Sequence, residues 1–400
     1  MTDIDFTLSA QRAKQLNRDC HCTALNRPLL QQVLSQQPKG DVLYRMITEE
    51  RPHLISEVAV FLAESNLQKQ REIIAALERV IALPSYQDQV MAYAPVSAQY
   101  HPKAQGVFLG YDFHLDGDGP RLIEINTNAG GAMINLLLNQ AYLACHGCQD
   151  ELANPAIAQT TERAFIEMFQ QEWRMEGHST PLRSVAIVDA SPLQQYMLPE
   201  FILFQNLFTQ HQITAVICDP SELVYSNGKL CYGETTIDLV YNRLTDFSLQ
   251  QPSQQALLEA YLASSVVVTP HPRNHALYAD KRNLALLSNA HTLQELGVDS
   301  DTQAILLHGI ANTQIVKPQN AEPLWQQRKH LFFKPAKGYG SKAAYRGDKL
   351  TKRVFAEILE PCQINSLASP WGPFTRPFRR HVVPAKHGPR VMSFHGSCAR

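Results

Sequence analysis

Four short apolar segments, separated by longer stretches, constrain the fold of this chain more than any other feature. In chain order they cover 184–189, 213–218, 237–241 and 265–269. Their length and apolar content are those of buried strands. The stretches at 194–210 and 253–263 between them predict helices. Because strands that alternate with helices favour parallel pairing, we predict an α/β fold with a central, parallel, doubly wound sheet.

The regions on either side of this sheet are predicted to be largely helical. Residues 1–95 carry two sets of apolar residues at helical spacing, namely Leu54, Val58, Phe61 and Leu62, then Ile73, Leu77 and Ile81. Pro84 is predicted to stop the second run. After the sheet, a helix is predicted at about 274–290, and an apolar strand at 331–335 follows it.

The composition is that of an ordinary folded protein. The 400 residues have a formal net charge of −1, with 44% hydrophobic and 18% charged residues. This balance gives no reason to expect a nucleic acid or a membrane surface as partner. No apolar run approaches the roughly 18 residues that span a bilayer, and the first residues form no apolar signal core. We therefore predict a cytoplasmic protein.

An acidic hairpin is predicted from 106 to 126, with its turn at Asp116–Gly119. Side chains alternate between the two faces of a strand, so Glu124 and Asn126 share a face. Asp112 and His114 share a face of the opposite strand. Two carboxylates and an amide oxygen suit Mg²⁺, which prefers oxygen ligands. The alternative interpretation is a hairpin whose polar residues only face solvent.

A second candidate site follows the strand at 331–335. Lys334 stands near the end of that apolar strand, and a loop containing Lys337, Gly338, Gly340 and Ser341 comes after it. Exposed backbone N–H groups and cations are what a polyphosphate requires. The loop is neither a Walker P-loop nor a dinucleotide fingerprint. Taken alone, it is equally consistent with a flexible basic surface loop.

The segment Leu-Ile-Glu-Ile-Asn-Thr-Asn-Ala-Gly-Gly at 122–131 resembles the Glu-Ile-Asn-Thr motif of eukaryotic-type glutathione synthetases. Those enzymes are ATP-grasp ligases with a circularly permuted order, in which the metal hairpin precedes the lysine loop. This chain has the same order. It also resembles the wider permuted ATP-grasp group, which includes glutathionylspermidine synthetases. The resemblance covers roughly residues 106–350.

The resemblance implies a role for particular residues and a division of the chain. The metal positions are matched by Asp112, Glu124 and Asn126. The ATP-contacting positions are matched by Lys281, Lys334 and Tyr345 and by the loop residues Lys337, Gly338, Gly340 and Ser341. Arg243 matches a substrate-carboxylate position. Lys334 and Arg243 would be the catalytic residues. The implied parts are a helical region at 1–105, the hairpin with its helices at 106–180, a Rossmann-like substrate domain at 181–272, and the nucleotide-binding region with its lid and tail at 273–400.

The implied function is an ATP- and Mg²⁺-dependent ligase that joins a small carboxylate to an amine through an acylphosphate. The substrates would be small molecules, with amino acids and peptides among the candidates. Two bland alternatives stay open for single residues, because Lys281 could lie on a helix surface and Arg243 could belong to a structural ion pair. For the whole chain, one alternative is a protein that binds Mg-ATP without ligase activity.

Three departures from the glutathione synthetase pattern favour that alternative or a different substrate. Gly110 stands where those enzymes have an arginine, and Gly338 stands where they have a metal-binding glutamate. Asn128, Ala129 and Gly130 replace serines that contact substrate. The nucleotide half of the pattern is therefore better kept than the substrate half.

Two further features stay outside this interpretation. Residues 361–400 contain no Asp or Glu and no clear hinge strand, which indicates either a diverged, partly disordered arm or a reading-frame error or truncation. Cys20, Cys22, Cys145 and Cys148 form two clusters that could hold zinc, so a zinc- or thiol-based regulatory protein is a third hypothesis.

Overall fold

A computed structural model of the chain shows a mixed helix and sheet fold. It describes residues 3–19, 26–56, 61–116, 119–141, 155–335, 344–359, 366–370 and 380–383. In the described residues, no helix has both the length and the apolar character that a membrane crossing requires.

The N-terminal region is helical, as predicted, but with one exception. Its helices are α1 (Asp3–Asp19), α2 (Arg27–Ser35), α3 (Gly40–Arg45), α4 (Glu64–Ile81) and α5 (Pro84–Met91). The helix predicted from the spacing of Leu54 and Phe61 is wrong in its described part, because residues 51–56 form turns and 61–63 are irregular. Pro52 has no N–H to continue a helix. Pro84 starts α5, where a proline is tolerated.

The predicted hairpin is confirmed. Strand β1 (Leu109–Asp116) pairs antiparallel with β2 (Gly119–Asn126), and Asp112 lies opposite Glu124. Among the described residues, helices α6 (Ala132–Ala141) and α7 (Pro155–Met175) follow.

The parallel sheet is also confirmed. Its strands are β3 (Ser184–Val188), β4 (Thr214–Cys218), β8 (Leu239–Asn242) and β9 (Val267–Thr269), and their order in space is β4-β3-β8-β9. Helices α8 (Leu198–Gln210) and α9 (Gln255–Leu262) connect these strands. The connections leave β3 and β8 in opposite directions along the sheet. A crevice therefore opens between the carboxyl ends of β3 and β8, which is where α/β sheets commonly bind ligands.

This sheet is buried on both faces. Val185 and Ile187 of β3 pack into one hydrophobic cluster, whereas Ala186 and Val188 pack into another on the opposite face. The first cluster contains a nest of aromatic rings whose centroids lie 4.9–6.2 Å apart, formed by Phe108, Phe165, Phe169, Phe204, Phe208 and Tyr241. A small antiparallel sheet of β5 (Leu223–Ser226), β6 (Lys229–Tyr232) and β7 (Thr235–Thr236) packs into the other cluster through Leu223 and Leu230. Asn227 and Gly228, both with positive φ, form the turn between β5 and β6, as an Asn-Gly pair favours.

The prediction of one continuous helix over about 274–290 is wrong, because the segment is broken. The chain makes a π-helical turn at His275–Ala279, adopts an extended backbone at Asp280, and restarts as α10 (Arg282–Leu287). The Asp280 side chain accepts the N–H of Arg282, and the Asp280 backbone carbonyl oxygen accepts the N–H of Asn283, so Asp280 turns the chain into the new helix. Further helices are α11 (Ala290–Glu295), α12 (Ser300–Gly309), α13 (Ala321–Gln327) and α14 (Lys352–Ile358).

A second antiparallel sheet has the order β10-β13-β11-β12. Its strands are β10 (Gln314–Ile315), β11 (Leu331–Pro335), β12 (Tyr345–Arg346) and β13 (Ser366–Pro370). β14 (Arg380–Val383) pairs with β1. The tail thus contributes two strands that its sequence did not predict, one between β10 and β11 and one on the edge of the hairpin.

Candidate active site

Three charged side chains from distant parts of the chain meet at the hairpin. The Glu124 carboxylate lies 3.4 Å from Lys281 Nζ and 3.4 Å from Lys334 Nζ. Glu124 belongs to β2, Lys281 to the break before α10, and Lys334 to β11. The two lysines thus converge on one carboxylate, and with Asp112 opposite Glu124 the hairpin brings two positive and two negative side chains together.

The pKa of Glu124 is lowered despite its surroundings. Burial by itself would raise the pKa of this carboxyl group, but the charges and hydrogen bonds of Lys334 and Lys281 outweigh burial and lower it. The carboxylate is therefore ionised at neutral pH. It can hold both lysines or, in exchange, a metal cation.

The other two predicted metal ligands lie beside Glu124 on the hairpin. Asn126 Nδ2 donates to Asp112 Oδ2 at 3.3 Å, and the strand register sets Asp112 opposite Glu124. The Asn126 side-chain oxygen is then the atom of that amide suited to a metal. His114, which is exposed, lies opposite Arg121, farther towards the turn.

These oxygens fit the chemistry of Mg²⁺, which takes carboxylate and carbonyl oxygens and retains waters or phosphate oxygens in its remaining positions. In the part of the chain that the structure describes, no group of three or more His, Cys, Asp or Glu side chains is placed to hold a metal ion. The set at the hairpin has two carboxylates and one amide, so phosphate oxygens would have to complete it.

The break in the 275–287 segment places Lys281. Asp280 and Arg282 form an ion pair with a 2.9 Å contact, and the Arg282 guanidinium lies 4.1 Å from the ring centroid of Tyr93. Tyr93 Oη also donates to Asn283 Oδ1 at 2.6 Å, and Asn283 Nδ2 donates to two carbonyl groups of the π-helical turn. Both neighbours of Lys281 are thus fixed, which directs the lysine between them toward Glu124.

Strand alternation places Lys334. Phe333 is fully buried in the small core of the second sheet, so Lys334 projects from the other face. Tyr345 of β12 lies opposite Phe333 in the register and is partly buried. The predicted loop residues Lys337, Gly338, Gly340 and Ser341 lie outside the described residues, as do Cys20, Cys22, Cys145 and Cys148. Their roles stay predictions.

Arg243 contacts the loop that follows β2, at Ala129. It follows β8 at the crevice of the parallel sheet and is 7% exposed. Its Nη1 donates to the Ala129 carbonyl oxygen at 3.3 Å and to Tyr241 Oη at 3.4 Å, whereas its Nε has no hydrogen-bond partner among the described residues. A buried guanidinium N–H without a partner is costly, so this geometry suits a bound carboxylate.

Sequence reasoning missed two acidic residues near Arg243. Asp189 follows β3 at the same crevice, and burial raises its pKa to about 6, although the Ala190 N–H and the charge of Arg243 both act to lower it. Its position directly after a buried strand was the available signal. Glu200 of α8 is fully buried and accepts hydrogen bonds from the N–H groups of Gly131, Met133 and Ile134. No local pattern marks Glu200.

A stacked pair joins the two halves of this region. The rings of Phe247 and His275 lie 3.6 Å apart and nearly parallel, and His275 Nδ1 lies 3.3 Å from Thr127 Oγ1. Thr127, which is fully buried, is the residue after Asn126. The motif is thereby packed against the turn that leads to Lys281.

Two departures from the glutathione synthetase pattern lie against each other. A Cβ atom on Gly110 would come within 2.9 Å of the Ala129 Cβ. A Cβ atom on Gly130 would come within 3.0 Å of Arg243 Nη2 and 2.9 Å of Met197 Cε. The small residues at these positions therefore let the loop, the hairpin and Arg243 approach closely, and leave no space there for larger side chains.

Comparison with solved structures finds a shared fold. A glutathione synthetase-like effector from Globodera pallida, in its apo form, superposes with a TM-score of 0.52 at 12% sequence identity, over 84% of this chain and 78% of that one. A candidate gamma-glutamylcysteine synthetase from Methylobacillus flagellatus gives a TM-score of 0.44 at 9% identity, over 78% and 75% of the two chains. No protein-family model and no curated protein sequence matches. The likeness at such low identity concerns the fold.

Proposed function

We propose that the chain is an ATP- and Mg²⁺-dependent ligase that joins a small carboxylate to an amine. The observation that carries this proposal is the meeting of Glu124 with Lys281 and Lys334 at 3.4 Å each. The resemblance predicted one metal ligand, Glu124, and two phosphate contacts, Lys281 and Lys334, at these positions. Glu124 and Lys281 are more than 150 residues apart along the chain. The glutathione synthetase-like fold supports the same proposal.

In this proposal the fold is a permuted ATP-grasp. The sheet containing β11 would supply Lys334, whereas Tyr345 lies opposite Phe333 and packs against the core on the other face of that sheet. The hairpin of β1 and β2 would supply the metal ligands Asp112, Glu124 and Asn126. The division of the chain at 105, 180 and 272 and its location in the cytoplasm belong to the same proposal.

The chemistry requires no protein nucleophile. A carboxylate oxygen of the substrate forms a bond to the γ-phosphorus of ATP, and ADP leaves. The amine nitrogen then attacks the acyl carbon, and inorganic phosphate leaves with the bonding electrons while the amine loses a proton. Lys281 and Lys334 would neutralise the phosphate charge, and Arg243 would hold the substrate carboxylate with its paired N–H donors. Bound Mg²⁺ would stabilise the charge on the transferred phosphoryl group.

The surroundings of Arg243 favour a substrate of the amino-acid or peptide type. Arg243 offers N–H donors to a carboxylate, and Asp189 at the same crevice offers a carboxylate to an ammonium group. Gly110 stands where glutathione synthetases have an arginine, and Ala129 belongs to the segment that replaces the serines that contact their substrate. Recognition therefore falls to Arg243 and Asp189, with a substrate other than the precursor of glutathione.

Binding of Mg-ATP, measured by calorimetry, tests the nucleotide half of the proposal. We expect binding by the unaltered chain and a loss of about tenfold or more, or about 1.4 kcal/mol, in Lys334→Ala. Lys329→Ala is the matched control, because Lys329 is an exposed lysine just before the same strand. Equal affinity in all three proteins would contradict the proposal. A screen of amino acids and peptides for ADP release, with mass spectrometry of the product, tests the ligase half.

A protein that binds Mg-ATP without ligation is the second candidate. The closely packed Gly110 and Ala129 favour it, because they remove two substrate contacts of the family. The two candidates differ in one outcome. Mg-ATP binding with no ADP release from any carboxylate and amine pair would favour the second.

A further inference from the structure

We propose that Glu200 is a positioning residue that holds Arg243 in its substrate-binding orientation by fixing the loop 129–131. This inference rests on the proposed function, since it concerns how the carboxylate site is built. Glu200 lies in α8, on a different element from both Arg243 and the hairpin, and it is completely buried.

The Glu200 carboxylate occupies the N-terminus of α6. It accepts the N–H groups of Gly131, Met133 and Ile134 at 3.1, 3.2 and 3.0 Å. These groups have no partner within their own helix, and the partial positive charge of a helix N-terminus attracts an anion. An internal carboxylate therefore fills the place where a substrate anion would otherwise compete with Arg243.

The same loop is held from its other side by Arg243. Arg243 Nη1 donates to the carbonyl oxygen of Ala129, two residues before the Gly131 N–H that Glu200 accepts. Gly130 lies between these two attachments, and a Cβ atom there would come within 3.0 Å of Arg243 Nη2. The position of the guanidinium group thus depends on the position of the loop, and the loop depends on Glu200.

Met197 adds a third contact from the same helix end. Its Cε lies within 2.9 Å of the position that a Cβ on Gly130 would take, and Met197 comes three residues before Glu200. The start of α8 therefore packs on the loop and also supplies the acid that anchors it. Replacing Glu200 with Gln leaves the packing in place, removes the charge and leaves one acceptor oxygen where the carboxylate has two, so the three N–H groups can no longer all be accepted.

The side-chain Nε–H signal of Arg243 reports this positioning directly. It can be followed by NMR in protein labelled with ¹⁵N-arginine and assigned by its loss in Arg243→Lys. In the unaltered protein we expect a dispersed signal that exchanges slowly with water, because the group is buried. In Glu200→Gln we expect it to move toward the other arginine signals and to exchange about tenfold faster or more. A general loss of stability would not change one arginine signal selectively.

Glu172→Gln is the matched control. Glu172 is also a buried glutamate with three accepted hydrogen bonds, from the N–H groups of Gln105 and Gly106 and from Thr269 Oγ1, but none of them involves the loop 129–131. We expect the Arg243 signal to stay in place in this variant. An equal change in both variants, or no change in Glu200→Gln, would overturn the inference.

Two additions keep the outcome clear. Should Glu200→Gln fail to fold, Glu200→Asp keeps the charge on a shorter side chain and is expected to give an intermediate shift, so an unchanged signal there would also overturn the inference. Calorimetry with Mg-ATP is run on the same samples, with affinities within about twofold expected for all variants. Failure of the unaltered protein to bind Mg-ATP would refute the proposed function, whereas the Arg243 signal decides the role of Glu200 separately.

Discussion

Replacing Glu124 with Gln should strengthen the binding of ATP in the absence of metal. In the unaltered protein, Lys281 and Lys334 each lie 3.4 Å from the Glu124 carboxylate, and phosphates must draw the lysines away from it. Glutamine has nearly the same shape but no charge. The variant therefore presents both lysines to the phosphates without the carboxylate that lies 3.4 Å from each of them.

The magnitude follows from the distances and the exposure of the three groups. At 3.4 Å and an effective dielectric constant of about 20, one such pair corresponds to about 5 kcal/mol before desolvation is counted. The side chains are 10–23% exposed, so water reduces the net value to about 1 kcal/mol per lysine. Two lysines give about 2 kcal/mol, which is about thirtyfold in metal-free affinity.

Titration of ATP with and without Mg²⁺ measures both consequences. The unaltered protein should bind ATP more tightly when Mg²⁺ is present, whereas Glu124→Gln should lose most of that enhancement. Asp112→Asn is the comparison variant, since Asp112 is a predicted metal ligand that accepts a hydrogen bond from Asn126. It should lose the enhancement with a smaller gain in metal-free affinity. Metal-free affinity in Glu124→Gln that equals or falls below that of the unaltered protein would refute the reasoning.

Three further predictions concern other parts of the molecule. Asp189→Asn should match the unaltered protein in stability near pH 4 and exceed it above pH 6. Burial raises the carboxyl pKa of Asp189 from 3.8 to about 6, so folding of the unaltered protein becomes less favourable as pH rises through that window. Urea titrations at several pH values measure this, and a pH-independent difference between the two proteins would contradict it. Phe169→Ala should lower the free energy of unfolding by about 3–5 kcal/mol in the same assay, since the ring is fully buried among four aromatic neighbours. Arg243→Lys should raise the KM for the carboxylate substrate about tenfold or more, because a lysine lacks the paired N–H donors of a guanidinium group. The affinity for Mg-ATP should stay within about twofold. A change confined to Mg-ATP affinity would show that Arg243 serves the nucleotide.

The elements that the sequence predicted are those with a short-range cause. The turn at Asp116–Gly119 and the alternation of side chains determine that Glu124 and Asn126 share a face, whatever else surrounds the hairpin. The strands of the parallel sheet are similarly visible, because a strand buried on both faces is apolar along its whole length. In both cases a few consecutive residues contain the information.

The break before Lys281 shows where such reasoning fails. Apolar residues continue at helical spacing through the segment, from Ala276 and Leu277 to Leu284 and Leu287, so the pattern predicts one helix. The interruption depends on the Asp280 side chain, which accepts the backbone N–H of Arg282 in a local turn and pairs with the Arg282 guanidinium. Such a local turn competes with helix continuation, and the winner is set by tertiary contacts that a single sequence does not contain.

The strands of the tail and the role of Glu200 escaped prediction for a related reason. Residues 366–370 and 380–383 are regular only because they pair with β10, β11 and β1, which stand far earlier in the chain. In the sequence, Glu200 resembles any helix glutamate, because its hydrogen-bond partners at the start of α6 are distant along the chain. Long-range partners define these features, and local patterns carry no trace of those partners.

The loop after the hairpin explains why the phosphate and carboxylate ends of the proposed site would act together. Asn126 stands at one end of this loop among the metal ligands, and the Ala129 carbonyl oxygen near the other end accepts a hydrogen bond from Arg243. They stand three positions apart in the chain, a span of about 10 Å at most. A carboxylate on Arg243 and a γ-phosphate beside Lys281 and Lys334 would therefore approach each other across this loop. A change that lengthens the loop, such as one glycine inserted after Asn128, should reduce the rate of ADP release far more than it weakens the binding of either substrate alone.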